Sequence, residues 1–418
     1  MSPPEDDARD LSTLRQAEYR QRLLVNRLRR EVYRQEDPST SPDLLEDLRA
    51  AEEKLRAIER RRADAQVEER SGLVFDVDED SRFLGAQTTG LEAEVYVRME
   101  YVPTAIYHLL DRDEHPLVTC RVRVTRGDET RRLRMTSHIE GYSAHAVDTY
   151  ELKPKRWHTF KQLPTLFPHK VDLVQELTRA TLNVALEDLD GENGAMTELH
   201  KTELIWLLAR TAAPRAVKDP KSGEWLDMSR YWGAFVTPNA PGVIEFLRIV
   251  AEHCDGPIDG YMGTRSSVES QARAIFDALK GAGIAYVHSA TAFNPDEAST
   301  SQRMRLPSET LEHRQANCID ATLLFASLLE AATLSPGIVV FPTHALVAWE
   351  TWDRSDDDWD EAVDGWTYLE TTMIENFSFE EARRSGARQI QRFQGSPEAV
   401  LWPLRELRSV EPRITPME

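Results

Sequence analysis

The run Cys318 to Ala332, CIDATLLFASLLEAA, constrains the fold more than any other stretch. Leu323, Leu324, Phe325, Leu328 and Leu329 put apolar side chains on most sides of a helix. Such a helix must be a buried central element covered by others. It stops at Ser335-Pro336-Gly337, and a strand follows. His344 sits just past the Pro342 interruption of that strand, ahead of the apolar run Ala345 to Trp349. A second strand-like run, Trp366 to Thr372, carries Glu370. At the other end, Asn317 is a good N-cap residue and Asp320 falls in the first turn.

These residue types in this order suggest a thiol nucleophile, its base and an orienting acid. At the first turn of a helix, Cys318 meets free N–H groups and the positive end of the macrodipole. Both favour the thiolate. The same N–H groups can hold the oxyanion of a tetrahedral intermediate. A carboxylate bonded to one imidazole nitrogen fixes the tautomer and stabilises the imidazolium. Glu370 is the first choice for that role, with Asp364 as a substitute. A small core thiol and a satisfied core histidine would leave the same trace, so residue types alone leave both readings open.

The chain ahead of this block divides into two parts. Residues 1–70 read as a charged antiparallel helical hairpin. Leu14, Leu24, Leu28 and Val32 recur at helical spacing, and Leu44, Leu48, Ala51, Leu55 and Ile58 form a coiled-coil-like seam. Basic runs at Arg27 to Arg30 and Arg60 to Arg62 fit a solvated helix face, and the apolar seam suits a protein partner. Residues 71–225 read as a β-rich, sandwich-like domain. Alternation appears in Glu94 to Met99, Leu117 to Val124 and Arg132 to Met135. His138, His145, His158 and His169 lie here without metal-ligand spacing. Leu204 to Leu208 fits strand or helix, and Ala212 to Trp225 reads as a linker.

Residues 226–395 read as the α+β domain that carries the chemistry, followed by a tail over 396–418. Trp232 to Pro241 looks like a strand end and turn. Ser266 with Glu269 fits a capping box for a helix through Leu279. A polar loop runs from Ser289 to Gln302, and Ser308 can start a short helix leading to Cys318. The acidic stretch Asp353 to Gly365 fits a cleft rim or plain solubility equally well.

Composition excludes several classes. Against 51 Lys+Arg stand 71 Asp+Glu, a net charge of −20, which disfavours a general nucleic-acid binder. Three cysteines far apart do not make a disulfide framework, and a reducing compartment fits. No secretory signal is visible and no run approaches the roughly 18 apolar residues of a membrane span. The expectation is a cytoplasmic α+β multidomain protein.

The block from Gln302 resembles the transglutaminase-like superfamily of papain-like thiol enzymes, in the branch found in bacterial multidomain proteins. The residues that carry the resemblance are Gln302 to Leu311 (QRMRLPSETL), Cys318 to Glu330, His344 to Trp349 and Leu369 to Thr372. With the preceding segment, the similar domain extends from Trp232 to about Phe393. The resemblance implies a Cys318–His344–Glu370 triad and acyl transfer through a thioester, with no metal or cofactor. Water is the acceptor in peptidases and deamidases, an amine in transamidases. A peptidase or amidohydrolase acting on protein is the first expectation. Transamidation by the same residues, or a non-catalytic binding or scaffold module, are the alternatives. Gln302 and Asn317 stand where a substrate-orienting or oxyanion-donating group belongs. Glu370 replaces the commoner Asp, Thr343 the usual Gly, and Ile319 the Trp of animal enzymes. With no Ca²⁺-site loop either, these departures argue against a calcium-dependent cross-linker.

Overall fold

The computed structural model describes residues 17–18, 21, 24–25, 28, 46–58, 60–61, 90–190, 197–218, 225–262, 264–287, 299–341, 343–351, 365–393, 399–410 and 413–417. Contacts group the chain into two compact units, Met1–Arg82 and Phe83–Glu418. In the first, residues 46–58 are helical. Val25, Leu28 and Ala51 are buried together, with Leu24, Leu48 and Leu55 packed against them. The amide of Gln21 donates to the Ala51 carbonyl at 3.0 Å, which ties the two helical stretches at that seam.

The second unit is mixed α and β. Its first strands are β1 (Leu91–Val97), β2 (Tyr101–Val102), β3 (Val118–Val124), β4 (Arg131–Ile139), β5 (Ala146–Leu152), β6 (Trp157–Gln162), β7 (Thr178–Asp188) and β8 (Thr197–Leu207). They form a three-stranded sheet, β1-β3-β6, and a five-stranded one, β2-β8-β7-β4-β5. All pairings are antiparallel except the two-residue β2·β8 ladder. Along β4 and β7, residues buried on one face alternate with less buried ones, as in a sheet covered on one side. Gln162 of β6 donates to the Met135 carbonyl of β4 at 3.1 Å, joining the two sheets. The undecided LIWLL segment is largely the end of β8.

The segment read as a linker is instead sheet. β9 (Ala212–Lys218) is the centre of a three-stranded sheet between β10 (Trp225–Asp227) and β12 (Ser299–Arg303). The register shifts between Thr300 and Ser301, beside Pro214, where a bulge tolerates a proline. β12 thus couples the β-rich region to the segment that leads to Cys318. Ser229–Phe235 is a buried 3-10 helix, which corrects the strand end expected near Trp232.

Helices then gather around one centre. They are α1 (Pro241–Glu252), α2 (Arg265–Gly281), α3 (Pro307–His313) and α4 (Cys318–Ala331). The side chain that caps α2 is Thr264, which accepts from the Ser267 N–H, and not Ser266. In α4 every residue from Ile319 to Leu329 is buried, as its all-round apolar sequence requires. It packs on α1, α2 and α3 and on a four-stranded antiparallel sheet. That sheet has the order β16-β15-β14-β17, from β14 (Pro336–Val340), β15 (Ala345–Glu350), β16 (Trp366–Leu369) and β17 (Val400–Pro403). A parallel ladder of two residues joins β11 (Ala285–Tyr286) to β13 (Gln315–Ala316).

Two last helices complete the unit: α5 (Phe379–Arg392) behind β16 and α6 (Leu404–Ser409). The stretch expected as a tail therefore supplies β17, α6 and the fully buried Ile414. Arg408 fastens it, donating to the Ile414 carbonyl at 2.7 Å and the Val236 carbonyl at 2.8 Å. Among the described residues no helix is long and apolar enough to cross a membrane.

Candidate active site

Cys318 is the first residue of α4. The cap expected from sequence forms. The Asn317 Oδ1 accepts from the Asp320 N–H at 2.8 Å, and the Asp320 carboxylate accepts from the Asn317 N–H at 3.3 Å. Asp320 is fully buried and also accepts from the Arg305 N–H at 2.7 Å and its guanidinium at 2.9 Å. Burial raises the Asp320 pKa, and these donors oppose the rise. The helix start is thus stapled to the segment that precedes α3.

Asn317 and Gln302 meet on one atom. The Asn317 Nδ2 donates to the Arg303 carbonyl at 3.3 Å, and the Gln302 Nε2 donates to the same oxygen at 3.2 Å. Both ends of the Asn317 amide are thereby engaged, and its role is that of a buried helix cap. Gln302 is half-buried beside it at the foot of α4.

His344 lies immediately before β15, not within it, at the turn where the Phe341 N–H donates to the His344 carbonyl at 2.8 Å. Glu370 lies immediately after β16 and caps a 3-10 turn, Thr371–Met373. Antiparallel pairing of β15 with β16, with Val347 opposite Leu369, carries the two residues to one end of the sheet. The His344 Nε2 is 2.7 Å from the Glu370 Oε2. Cys318 lies close enough to the ring to raise the imidazole pKa. With Nε2 bonded to Glu370, Nδ1 is the nitrogen left for a second partner. Asp364, the substitute acid, lies outside the described residues, as does most of the acidic stretch before it.

The electrostatics follow from these contacts. Burial pulls the His344 pKa down, but bonds and charge from Cys318 and Glu370 outweigh it and raise it from 6.5 to about 10. Burial pushes Glu370 up, while His344 and Thr372 pull it below the ordinary glutamate range. The arrangement favours an imidazolium beside the Glu370 carboxylate.

Sequence reasoning missed what holds Glu370. The carboxylate is only 3% exposed. Its Oε1 accepts from the Thr372 N–H at 3.1 Å and the Thr372 hydroxyl at 2.6 Å. Its Oε2 accepts from Gln389 of α5 as well as from His344. The Glu370 N–H donates to the Ala382 carbonyl, also on α5, at 3.2 Å. A Cβ on Gly386 of α5 would meet the Leu369 nitrogen at 2.9 Å, so this glycine lets the helix close onto β16. A glycine inside a helix was the available signal, since it costs helix stability unless backbone must approach closely. Nearby, the Thr322 hydroxyl donates to the Cys318 carbonyl at 2.8 Å and lies 3.2 Å from that of Thr371.

Elsewhere, His138 and His145 stack with centroids 4.0 Å apart, a pairing that their spacing did not reveal. Among the described residues no group of three or more His, Cys, Asp or Glu could hold a metal ion.

No family model matches this chain, and no curated protein matches it. A crystal structure of a "putative protease" from Parabacteroides distasonis aligns with 9% identity and a TM-score of 0.23. The alignment covers 67% of this chain and spans less than two thirds, 64%, of that one. At that score the likeness does not establish a shared fold.

Proposed function

We propose that this protein is a cysteine-dependent acyl-transfer enzyme that hydrolyses an amide or peptide bond in a protein substrate through a thioester. One observation carries the reading: the His344 Nε2 bonds the buried carboxylate of Glu370 at 2.7 Å, and Glu370 and Cys318 together raise the imidazole pKa. A core histidine needs one partner to be satisfied. A histidine bonded to a buried carboxylate beside a cysteine suits a group that takes and returns a proton.

In this mechanism the Cys318 thiolate attacks the carbonyl carbon, and the oxyanion is held by N–H groups at the helix start, with the Gln302 amide beside them. The His344 imidazolium protonates the leaving amine. The thioester remains on Cys318. His344, now neutral, takes a proton from water, which attacks the thioester, releases the acid and regenerates the thiolate–imidazolium pair. Glu370 keeps the imidazole oriented throughout and does not itself become protonated.

The test is the pH dependence of Cys318 alkylation by iodoacetamide, followed peptide by peptide so that Cys120 and Cys254 are counted apart. Fast Cys318 alkylation at neutral pH, lost in His344→Ala, is expected. Labelling that follows an ordinary thiol and ignores His344 would overturn the proposal. Supplying a labelled primary amine with a protein substrate then separates the acceptors. Stable amine incorporation would replace hydrolysis by transamidation.

A further inference from the structure

The β11·β13 ladder has no part in the chemistry above, yet it brings an aromatic side chain to the site. Tyr286 pairs with Ala316, two residues before Cys318, and the Val287 N–H donates to the Ala316 carbonyl at 2.9 Å. From the other side, the Tyr286 N–H donates to the carboxylate of Glu375, five residues past Glu370, at 3.2 Å. Tyr286 therefore bridges the segment that ends at the thiol and the one that follows the carboxylate. It is not a core residue: Tyr286 is 42% exposed, and Val287 and Phe377 are 40% and 44% exposed. The Lys280 ammonium holds the Phe377 carbonyl at 2.7 Å.

Resting on the acyl-transfer reading, we infer that Tyr286 is a specificity-determining residue, an aromatic wall that receives an apolar or aromatic side chain of the substrate residue whose carbonyl is presented to Cys318. Two features fix that chemistry. An aromatic ring left with this much exposed area beside a polar site gains by covering it with apolar surface. The carboxylates beside it, Glu370 and Glu375, are acidic, so an anionic side chain is repelled. The phenol stays protonated, because burial and the charges of Cys318 and Glu370 raise its pKa. It is thus a neutral ring surface at neutral pH.

The experiment uses the full chain and three electrophiles that differ in one side chain: the chloromethyl ketones of N-acetylphenylalanine, N-acetylglycine and N-acetylglutamate. Second-order rates of Cys318 alkylation are read by peptide mass spectrometry. The phenylalanyl probe should react about tenfold faster than the glycyl probe, the scale of covering part of one aromatic side chain. The glutamyl probe should be the slowest. Tyr286→Phe should keep the phenylalanyl-to-glycyl ratio, and Tyr286→Ala should bring it to within about twofold of unity. A ratio near unity in the wild type, or one that survives Tyr286→Ala, overturns the inference. The ratio does not depend on thiol activation, since an ordinary thiolate at pH 9 also reports it. Failure of the acyl-transfer reading appears separately, in the pH profile with iodoacetamide.

Discussion

Gly386→Ala tests how closely α5 must approach the site. The added Cβ would lie 2.9 Å from the Leu369 nitrogen and from the Tyr368 carbonyl carbon, and 3.0 Å from the Tyr368 oxygen. Ordinary contact begins at 3.4 Å, so the shortfall is 0.5 Å (3.4 − 2.9). All three atoms are backbone, and no side chain can rotate away. The helix must retreat from β16 by about that distance, taking with it the Ala382 carbonyl and Gln389, both bonded to Glu370. Overpacking of this kind costs about 1–3 kcal/mol. Alanine returns about 1 kcal/mol through its better helix propensity. The net loss is about 0–2 kcal/mol, a melting temperature lower by up to about 3 °C in a unit of this size. A site shifted by half an ångström is at the edge of productive geometry, so Cys318 alkylation at pH 7 should slow roughly tenfold. Calorimetry and peptide-resolved iodoacetamide labelling measure the two effects. If the melting temperature rises and labelling is unchanged, helix propensity alone governs the position and the close approach of α5 is irrelevant to Glu370.

Glu370→Gln removes a charge-assisted bond contributing about 1.5–3 kcal/mol, so Cys318 labelling at pH 7 should fall roughly 10- to 100-fold. The NMR titration of His344 should move down from about 10. Asn317→Ala removes the cap of α4 and should cost about 1 kcal/mol by denaturant unfolding, with Asn317→Ser restoring most of it. The pair also sets a pH window. Because the folded His344 pKa is raised to about 10, its contribution to stability is complete below the unfolded value of 6.5 and gone once pH passes about 10. Because the Glu370 pKa is depressed, its contribution is present above the unfolded value of about 4.3 and lost as pH falls through the folded one. The melting-temperature difference between wild type and His344→Ala should therefore be largest near pH 5–6 and vanish above about pH 10. A difference constant across that range would show that the pair is not titrating as one.

What the sequence disclosed and what it hid divide along a physical line. The buried helix and its Asn317–Asp320 cap are local patterns, each written within a few residues. The linker assignment failed because β9 finds its partner β12 about 85 residues away, and no local signal marks a non-local pairing. Composition misled there too, since Pro214 is harmless beside a bulge. Thr264 displaced Ser266 as the cap of α2 because several capping residues stand together, and only the entering backbone decides between them.

The thiol and the carboxylate are held by separate braces, and this explains why residue order alone left their relation open. Cys318 is positioned from ahead, through Asn317, Asp320, Arg305 and the β12 strand that pairs with β9. Glu370 is positioned from behind, through Thr372, Ala382 and Gln389. The two braces meet near His344, which bonds Glu370, and at the buried Thr322 and Thr371 hydroxyls beside the Cys318 carbonyl. Neither brace costs surface exposure: Asp320 is 0% exposed, Thr322 0% and Thr371 2%. Buried polar groups of this density are stable only when each is partnered, and their bonds fix one geometry. The interior of the unit therefore sets the distance from imidazole to carboxylate, while the substrate side is left to the half-exposed residues at the rim, Tyr286 first among them.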